Sequence, residues 1–276
     1  MAKDINQTVR EVCLWLPETE EFMSHGSANF RVRRGKTFAA YCINHHGDGR
    51  VALWLCAPPG AQALYTREEP GHFFVPPYVG PRGWLGVNLD KGISWQRVAK
   101  LVREAYENVA PARLIAGLGK TPAIKPPTQK LRAEDIDPLQ SRRAQTVIGR
   151  FRQLCLALPQ TSEGTAFGSL VWKAGKKTFA WAGISDGRLT LSFWVGIDQQ
   201  ELLRSDERFT IPAYLGHYGW ISLDVSRHAN WTEIEDLTRF SYRHFALKRM
   251  LDALAGEAPS KPARKQPRKS AQGAKN

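Results

Sequence analysis

The sequence is short of acid. Against 39 lysines and arginines it sets only 26 aspartates and glutamates, a formal net charge of +13 over 276 residues. Cysteine is scarce as well: Cys13, Cys42, Cys56 and Cys155 form no Cys-x-x-Cys pair and have no histidine at zinc spacing. That leaves a zinc finger or a disulfide framework without ligands or partners, and small buried hydrophobes in a reducing compartment are expected instead. No stretch approaches the roughly 18 uninterrupted apolar residues of a membrane helix, so no membrane partner is expected. The opening MAKDINQTVREV has no basic segment leading into an apolar one; no secretory leader is expected, and the cytoplasm is the expected location. Gly-x-Ser-x-Gly, Walker, Gly-x-Gly-x-x-Gly and His-Glu-x-x-His motifs are all missing. No catalytic residue, cofactor or metal site is therefore expected.

What is present suffices for folding. Hydrophobic residues make up 42% and aromatics 10% of the chain, enough for a real core, and the length fits about two domains. The positive charge is unevenly spread. Residues 1–116 carry a net +3, residues 117–146 +3, residues 147–255 +2 and residues 256–276 +5. The last stretch, GEAPSKPARKQPRKSAQGAKN, has three prolines and no aliphatic larger than alanine, so it reads as a disordered polycation. Its Lys261, Arg264, Lys265, Arg268 and Lys269 suit phosphate contacts without sequence reading, or simple solubilisation.

The chain also resembles itself. VCLWLPETEE (12–21) aligns with LCLALPQTSE (154–163), KTFA (36–39) recurs at 177–180, and PPYVGPRGWLGVNL (76–89) matches PAYLGHYGWISLDV (212–225). A period above 100 residues means duplicated domains rather than a solenoid. Four segments follow: copy one over 1–116, a Pro-rich linker over 117–145, a more divergent copy two over 146–255, and the basic tail over 256–276. Each copy opens with an amphipathic helix, through Val9, Val12, Cys13 and Leu16 or Val147, Phe151, Leu154, Cys155 and Leu158. Leu-Pro ends it. Strand-like runs follow (NFRVRR, KTFAAYCI, VALWLC; LVWKAG, KTFAWAGI, LTLSFWV), the first two joined by a turn at Arg34-Gly35 or Ala174-Gly175. A short helix, the Pro-Tyr-x-Gly segment, a last strand and a closing helix complete the copy. Ser94 and Thr232 are the expected caps of the closing helices, Thr232 with Glu235 in a capping box. The class is α+β with a mainly antiparallel sheet between an N-terminal and a C-terminal helix.

HFFVPPYVGPRGWLGVNLD (72–90), following HGSANFRVRRGKTFA (25–39) and VREVCLWLPETEE (9–21), resembles the MmcQ/YjbR-like family, over almost all of copy one and more loosely over copy two. The resemblance implies a frataxin-like (CyaY-like) fold in tandem and DNA binding by a double wing of β-hairpins; it brings no catalytic residues. Copy two departs from the pattern with Ala213 in place of Pro77, and with His217-Tyr218 in place of Pro81-Arg82.

The first hairpin is the best folded candidate for nucleic acid. Phe30 and Val32 alternate with Arg31 and Arg33, putting apolar groups on one side and cations on the other. Arg34 and Lys36 flank the turn, and Lys173, Lys176 and Lys177 repeat the theme in copy two. A solvated, charge-protected edge is the alternative. Arg82 adds a cation at a second turn. Trp84 and Trp220 are expected in the core. Tyr78 and Tyr214 could stack on bases, although packing against the preceding helix is the expectation. His45-His46-Gly47-Asp48 and the Glu18, Glu20, Glu21 group carry little weight as metal or base sites. The expected function is low-specificity binding of DNA, with RNA second. The rival is a non-enzymatic module binding a protein or small molecule.

Overall fold

The computed structural model describes residues 3–256. Copy one runs α1 (Ile5–Leu14), β1 (Thr19–Ser24), β2 (Ser27–Val32), β3 (Thr37–Ile43), β4 (Val51–Leu55), α2 (Ala61–Glu68), β5 (Phe73–Phe74), β6 (Leu85–Asn88) and α3 (Trp95–Glu107). Two short helices follow, α4 (Ala112–Ala116) and α5 (Ala133–Ile136). Copy two repeats the order as α6 (Arg142–Leu156), β7 (Thr161–Ala166), β8 (Ser169–Ala174), β9 (Lys177–Ser185), β10 (Arg188–Trp194), α7 (Ile197–Leu203), β11 (Phe209–Thr210), β12 (Trp220–Asp224) and α8 (Trp231–Phe245), and ends with α9 (Lys248–Gly256). The strands form two separate six-stranded sheets, ordered β1-β2-β3-β4-β6-β5 and β11-β12-β10-β9-β8-β7, antiparallel throughout. The fold is α+β, twice over.

Each sheet buries one face against its first and last long helices. In copy one Val9, Val12, Cys13 and Leu16 meet Phe30, Leu53, Val87, Val98, Val102 and Tyr106; in copy two Phe151 and Cys155 meet Trp172, Phe193, Ile221, Ile234 and Tyr242. Asp4 closes α1 with a capping box, its carboxylate accepting the Gln7 amide at 2.7 Å. Burial pushes the Cys13 and Cys155 thiols up, and that of Cys42 to about 11, so none is poised as a thiolate.

Three pairs of matching contacts tie each copy together. The Tyr106 hydroxyl donates to the Pro17 carbonyl at 2.7 Å, and Tyr242 donates to Pro159 at 2.7 Å. Each of these rings meets a phenylalanine edge-on, Phe38 at 5.5 Å and Phe179 at 5.4 Å. Arg10 grips Glu21 as Arg152 grips Glu163. The third residue of the closing helix is ion-paired in both copies, but with the signs exchanged: Arg97 to Glu69, and Glu233 to Arg208.

Several expectations are corrected here. The Arg34-Gly35 turn joins the second and third strands, because an additional edge strand, β1 or β7, precedes them. The cap of α8 is Asn230, whose side chain accepts the Glu233 amide, so the helix starts at Trp231 and Thr232 is already inside it. The Pro-rich segment is not a bare tether. It carries α5, and Ile124 is buried in the core of copy one, with Leu118, Leu131 and Ile136 packed against it. Arg103 donates to the Gly119 carbonyl at 2.7 Å, and the Thr128 amide donates to the Lys3 carbonyl at 2.9 Å. Four aliphatic side chains among the prolines give this stretch enough apolar surface to adhere.

Candidate nucleic-acid interface

The β2–β3 turn is built by pattern and by a bulge. Phe30 and Val32 point into the core, which leaves Arg31, Arg33 and the turn residues Arg34 and Lys36 toward solvent. The register slips between Phe30 and Arg31, and Arg34 takes the left-handed conformation at φ 56° so that the Gly35 amide can donate to the Val32 carbonyl at 2.7 Å. Copy two slips at the matching place, between Trp172 and Lys173, with Gly175 at φ 61°.

The edge strand divides these cations into two kinds. Glu20 lies opposite Arg31 and binds it at 2.6 Å, while the Arg31 guanidinium also covers the Phe22 ring at 4.6 Å. Arg31 therefore already has a carboxylate partner. Glu18 is held by Arg113 at 2.8 Å, and the guanidiniums keep the Glu18 and Glu20 carboxyls below the usual range. Glu18, Glu20 and Glu21 are thus each engaged with an arginine, and the described residues hold no metal-binding group of three acids, histidines or cysteines. Arg33, Arg34 and Lys36 are exposed and form no ion pair among the described residues. In copy two the residue opposite Lys173 is Ser162, and Lys173, Lys176 and Lys177 likewise form no ion pair there.

The Pro-Tyr-x-Gly segment turns over the second face of the sheet in copy one. Gly80–Arg82 forms a 3-10 turn, as does Gly216–Tyr218, and each ends on a glycine at φ 83°. A methyl group at Gly80 would collide with Val75, and one at Gly216 with Ile211. One glutamine amide fixes each segment, half-buried in copy one and buried in copy two: Gln62 donates to the Gly80 and Trp84 carbonyls, and Gln200 to those of Gly216 and Trp220, at 2.5–2.8 Å. Sequence reasoning missed these glutamines, although both stand early in the short helix of their copy.

Trp220 is 5% exposed, whereas Trp84 is half-buried against Ala40, Cys42, Ala52 and Trp54. The tyrosines are corrected. Tyr78 is 66% and Tyr214 80% exposed, so neither packs on the preceding helix. The Gln62 amide engages the loop through the Gly80 and Trp84 carbonyls, and Tyr78, at φ 63°, points outward to hydrogen-bond His46 Nε2 at 3.1 Å. Arg82 is exposed and forms no ion pair among the described residues; Tyr218, 64% exposed, stands at its place in copy two.

The histidine loop makes aromatic contacts. His45 sits edge-on to Trp54 at 4.7 Å, and desolvation, then His46, lowers its pKa. His46 meets Phe167 of copy two at 5.8 Å. Lys261, Arg264, Lys265, Arg268 and Lys269 lie outside the described residues.

These features define a tandem α+β protein with exposed basic turns and no cluster of metal ligands among its described residues. The YjbR family model matches residues 14–108 and again residues 156–244, well over half of the chain. The chain belongs to the YjbR (MmcQ/YjbR) family, as two tandem copies. No curated protein matches it. Among solved structures it is similar to the crystal structure of Deinococcus radiodurans protein DR2400, which carries a DUF419 domain. That match has 22% identity and a TM-score of 0.34, and covers 39% of this chain and 87% of the other. No helix among the described residues is long and apolar enough to cross a membrane.

Proposed function

We propose that this chain binds nucleic acid, DNA first and RNA second, with low sequence specificity and without catalysis or a cofactor. One observation supports this reading above the others: Arg33, Arg34 and Lys36 on one turn, and Lys176 and Lys177 on its counterpart, are exposed and outside any ion pair among the described residues. Phosphate contacts made by cations of this kind carry no base code. Arg82 extends the basic surface, Lys173 stands beside the second turn, and Tyr78 and Tyr214 offer exposed ring faces for stacking. Arg31 ranks behind these cations because Glu20 already pairs with it. In this reading the sheets are frataxin-like, the turns are the wings, the tail cations add phosphate contacts, and the chain works in the cytoplasm.

The test is fluorescence anisotropy of a short duplex across a salt series, with three full-length proteins. One is wild type, one has Arg33, Arg34 and Lys36 changed to Gln, and one has the five tail cations changed to Gln. Three lost phosphate contacts should flatten the log–log salt slope by about 2.7. An unchanged slope in the turn variant, with binding lost only in the tail variant, would reject the turns as the interface. That outcome would favour a module binding a protein or small molecule, which one feature of copy two already suits: Ile197, Leu202, Ile211, Tyr214 and Tyr218 are exposed around α7 and the loop that follows.

A further inference from the structure

Copy two carries a basic feature that the turns do not account for. Between α6 and the loop entering α8 lies a cavity of about 250 Å³, lined by Arg143, Thr146, Arg150, Arg227, His228 and Trp231 among others. No carboxylate lines it. The acids nearby are engaged elsewhere: Asp224 accepts the Ser226 amide and pairs with Arg188, Glu233 pairs with Arg208, and Glu235 with Arg239. None of the three arginines is in an ion pair among the described residues.

Two of the arginines are nonetheless held in place. Arg143 donates to the Val225 carbonyl at 3.2 Å, and the Arg150 guanidinium stands over the Trp231 ring at 4.3 Å. Both contacts orient a guanidinium without neutralising it. Like charges gathered in one groove repel, and a multiply charged anion relieves that repulsion.

Among the described residues copy one keeps only one of these cations, Lys91 in the place of Arg227. By the alignment of the two opening helices, Asp4 and the buried Thr8 stand where copy two has Thr146 and Arg150. A second cavity, beside α3, is balanced: it is lined by Arg97, Lys100 and Glu104, and Arg97 is bound to Glu69. The groove in copy two differs in being uniformly basic.

We propose that this groove is a phosphate-binding site, taking a phosphate mono- or diester whose oxygens are received by Arg143, Arg150 and Arg227. The volume equals about eight waters at roughly 30 Å³ each, room for a phosphate and part of what it is attached to. The assignment stands apart from the nucleic-acid reading, because a nucleic-acid backbone and a small phosphoester present the same group.

The experiment is calorimetric titration of inorganic phosphate into the full-length protein at low ionic strength. Arg143→Gln/Arg150→Gln/Arg227→Gln should weaken binding about tenfold or more, while Arg67→Gln, an exposed cation of α2 that belongs to neither basic surface, should leave it unchanged. Equal affinity in wild type and a natively folded groove variant would overturn the site, as would absence of phosphate binding to wild type. Circular dichroism reports folding; if the triple variant unfolds, Arg227→Gln alone, in the loop before α8, carries the same comparison. Competition names the source. Displacement of phosphate by a short duplex assigns the groove to a nucleic-acid backbone, whereas tighter binding of ribose 5-phosphate without displacement by duplex assigns it to a small phosphoester. Phosphate binding with no duplex binding at all would reject the nucleic-acid reading and leave this site standing.

Discussion

Replacing Gln200 by leucine tests whether one buried amide holds the Pro-Tyr-x-Gly segment of copy two. Gln200 is 4% exposed, and its Nε2 donates to the Gly216 carbonyl at 2.8 Å and to the Trp220 carbonyl at 2.6 Å. Leucine fills a similar volume but donates nothing. Two carbonyls then lose a partner where water has little access, at about 1–2 kcal/mol each, so the loss should be about 2–4 kcal/mol. Gln62 makes the matching bonds but is half-buried, so water can reach its carbonyls and Gln62→Leu should cost less. A glutamate at position 200 sharpens the test. Its ionised form only accepts, and it would face two carbonyl oxygens in a desolvated place, so its folded pKa should rise. Stability should then fall as pH rises from about 4 toward neutrality, the reverse of a salt-bridged carboxylate. Urea unfolding gives the free energy, and hydrogen exchange over residues 209–224, against 73–88, shows which copy responds. A Gln200→Leu protein that loses less than about 0.5 kcal/mol, with exchange over 209–224 unchanged, would refute the clamp.

Three further outcomes are expected. Tyr242→Phe removes the hydroxyl that donates to the Pro159 carbonyl and should cost about 1 kcal/mol in urea unfolding. Gly86→Ser should destabilise copy one by about 1–3 kcal/mol, because Phe74 lies directly over Gly86; adding Phe74→Thr, the Thr210 and Ser222 pair of copy two, should recover part of the loss. Acid should lower the melting temperature. The folded pKa values of Glu18, Glu20 and Glu69 are depressed by arginine partners, so their contribution is present above the unfolded carboxylate range and lost as pH falls through the folded values. These pairs are exposed or half-buried, so the acid-sensitive part should shrink in high salt.

What the sequence made legible was whatever the two copies repeat. Leu-Pro stops α1 and α6, and the paired glycines close matching 3-10 turns. The apolar spacing of Val9, Val12 and Cys13 falls on a buried face. The edge strands β1 and β7 were not legible because they bury little. Thr-Glu-Glu-Phe-Met-Ser shows no apolar alternation, and its two carboxylates are settled by Arg10 and Arg31 rather than by a core. Missing β1 hid Glu20, and with it the carboxylate partner of Arg31. The basic groove was invisible for another reason: Arg150 and Arg227 meet only when α6 packs beside α8, and no spacing along the chain records that.

The two copies agree on one face and part on the other. The helix-facing side repeats its Tyr–Pro bond and its Arg–Glu pair almost atom for atom. On the opposite side copy one is apolar, with Ala40, Cys42, Ala52 and Trp54 under Phe74 and Trp84. Copy two places Thr190, Ser192 and Ser222 there, with Ser192 and Ser222 hydrogen-bonded at 2.8 Å. Fold-bearing contacts are thus shared, while the surfaces that could meet a partner are not. The same division holds for charge: the turn of copy one faces its own carboxylate at Arg31, and the groove of copy two faces none. A ligand seen on one copy is therefore no guide to the other, and substitutions have to be made copy by copy within the full chain.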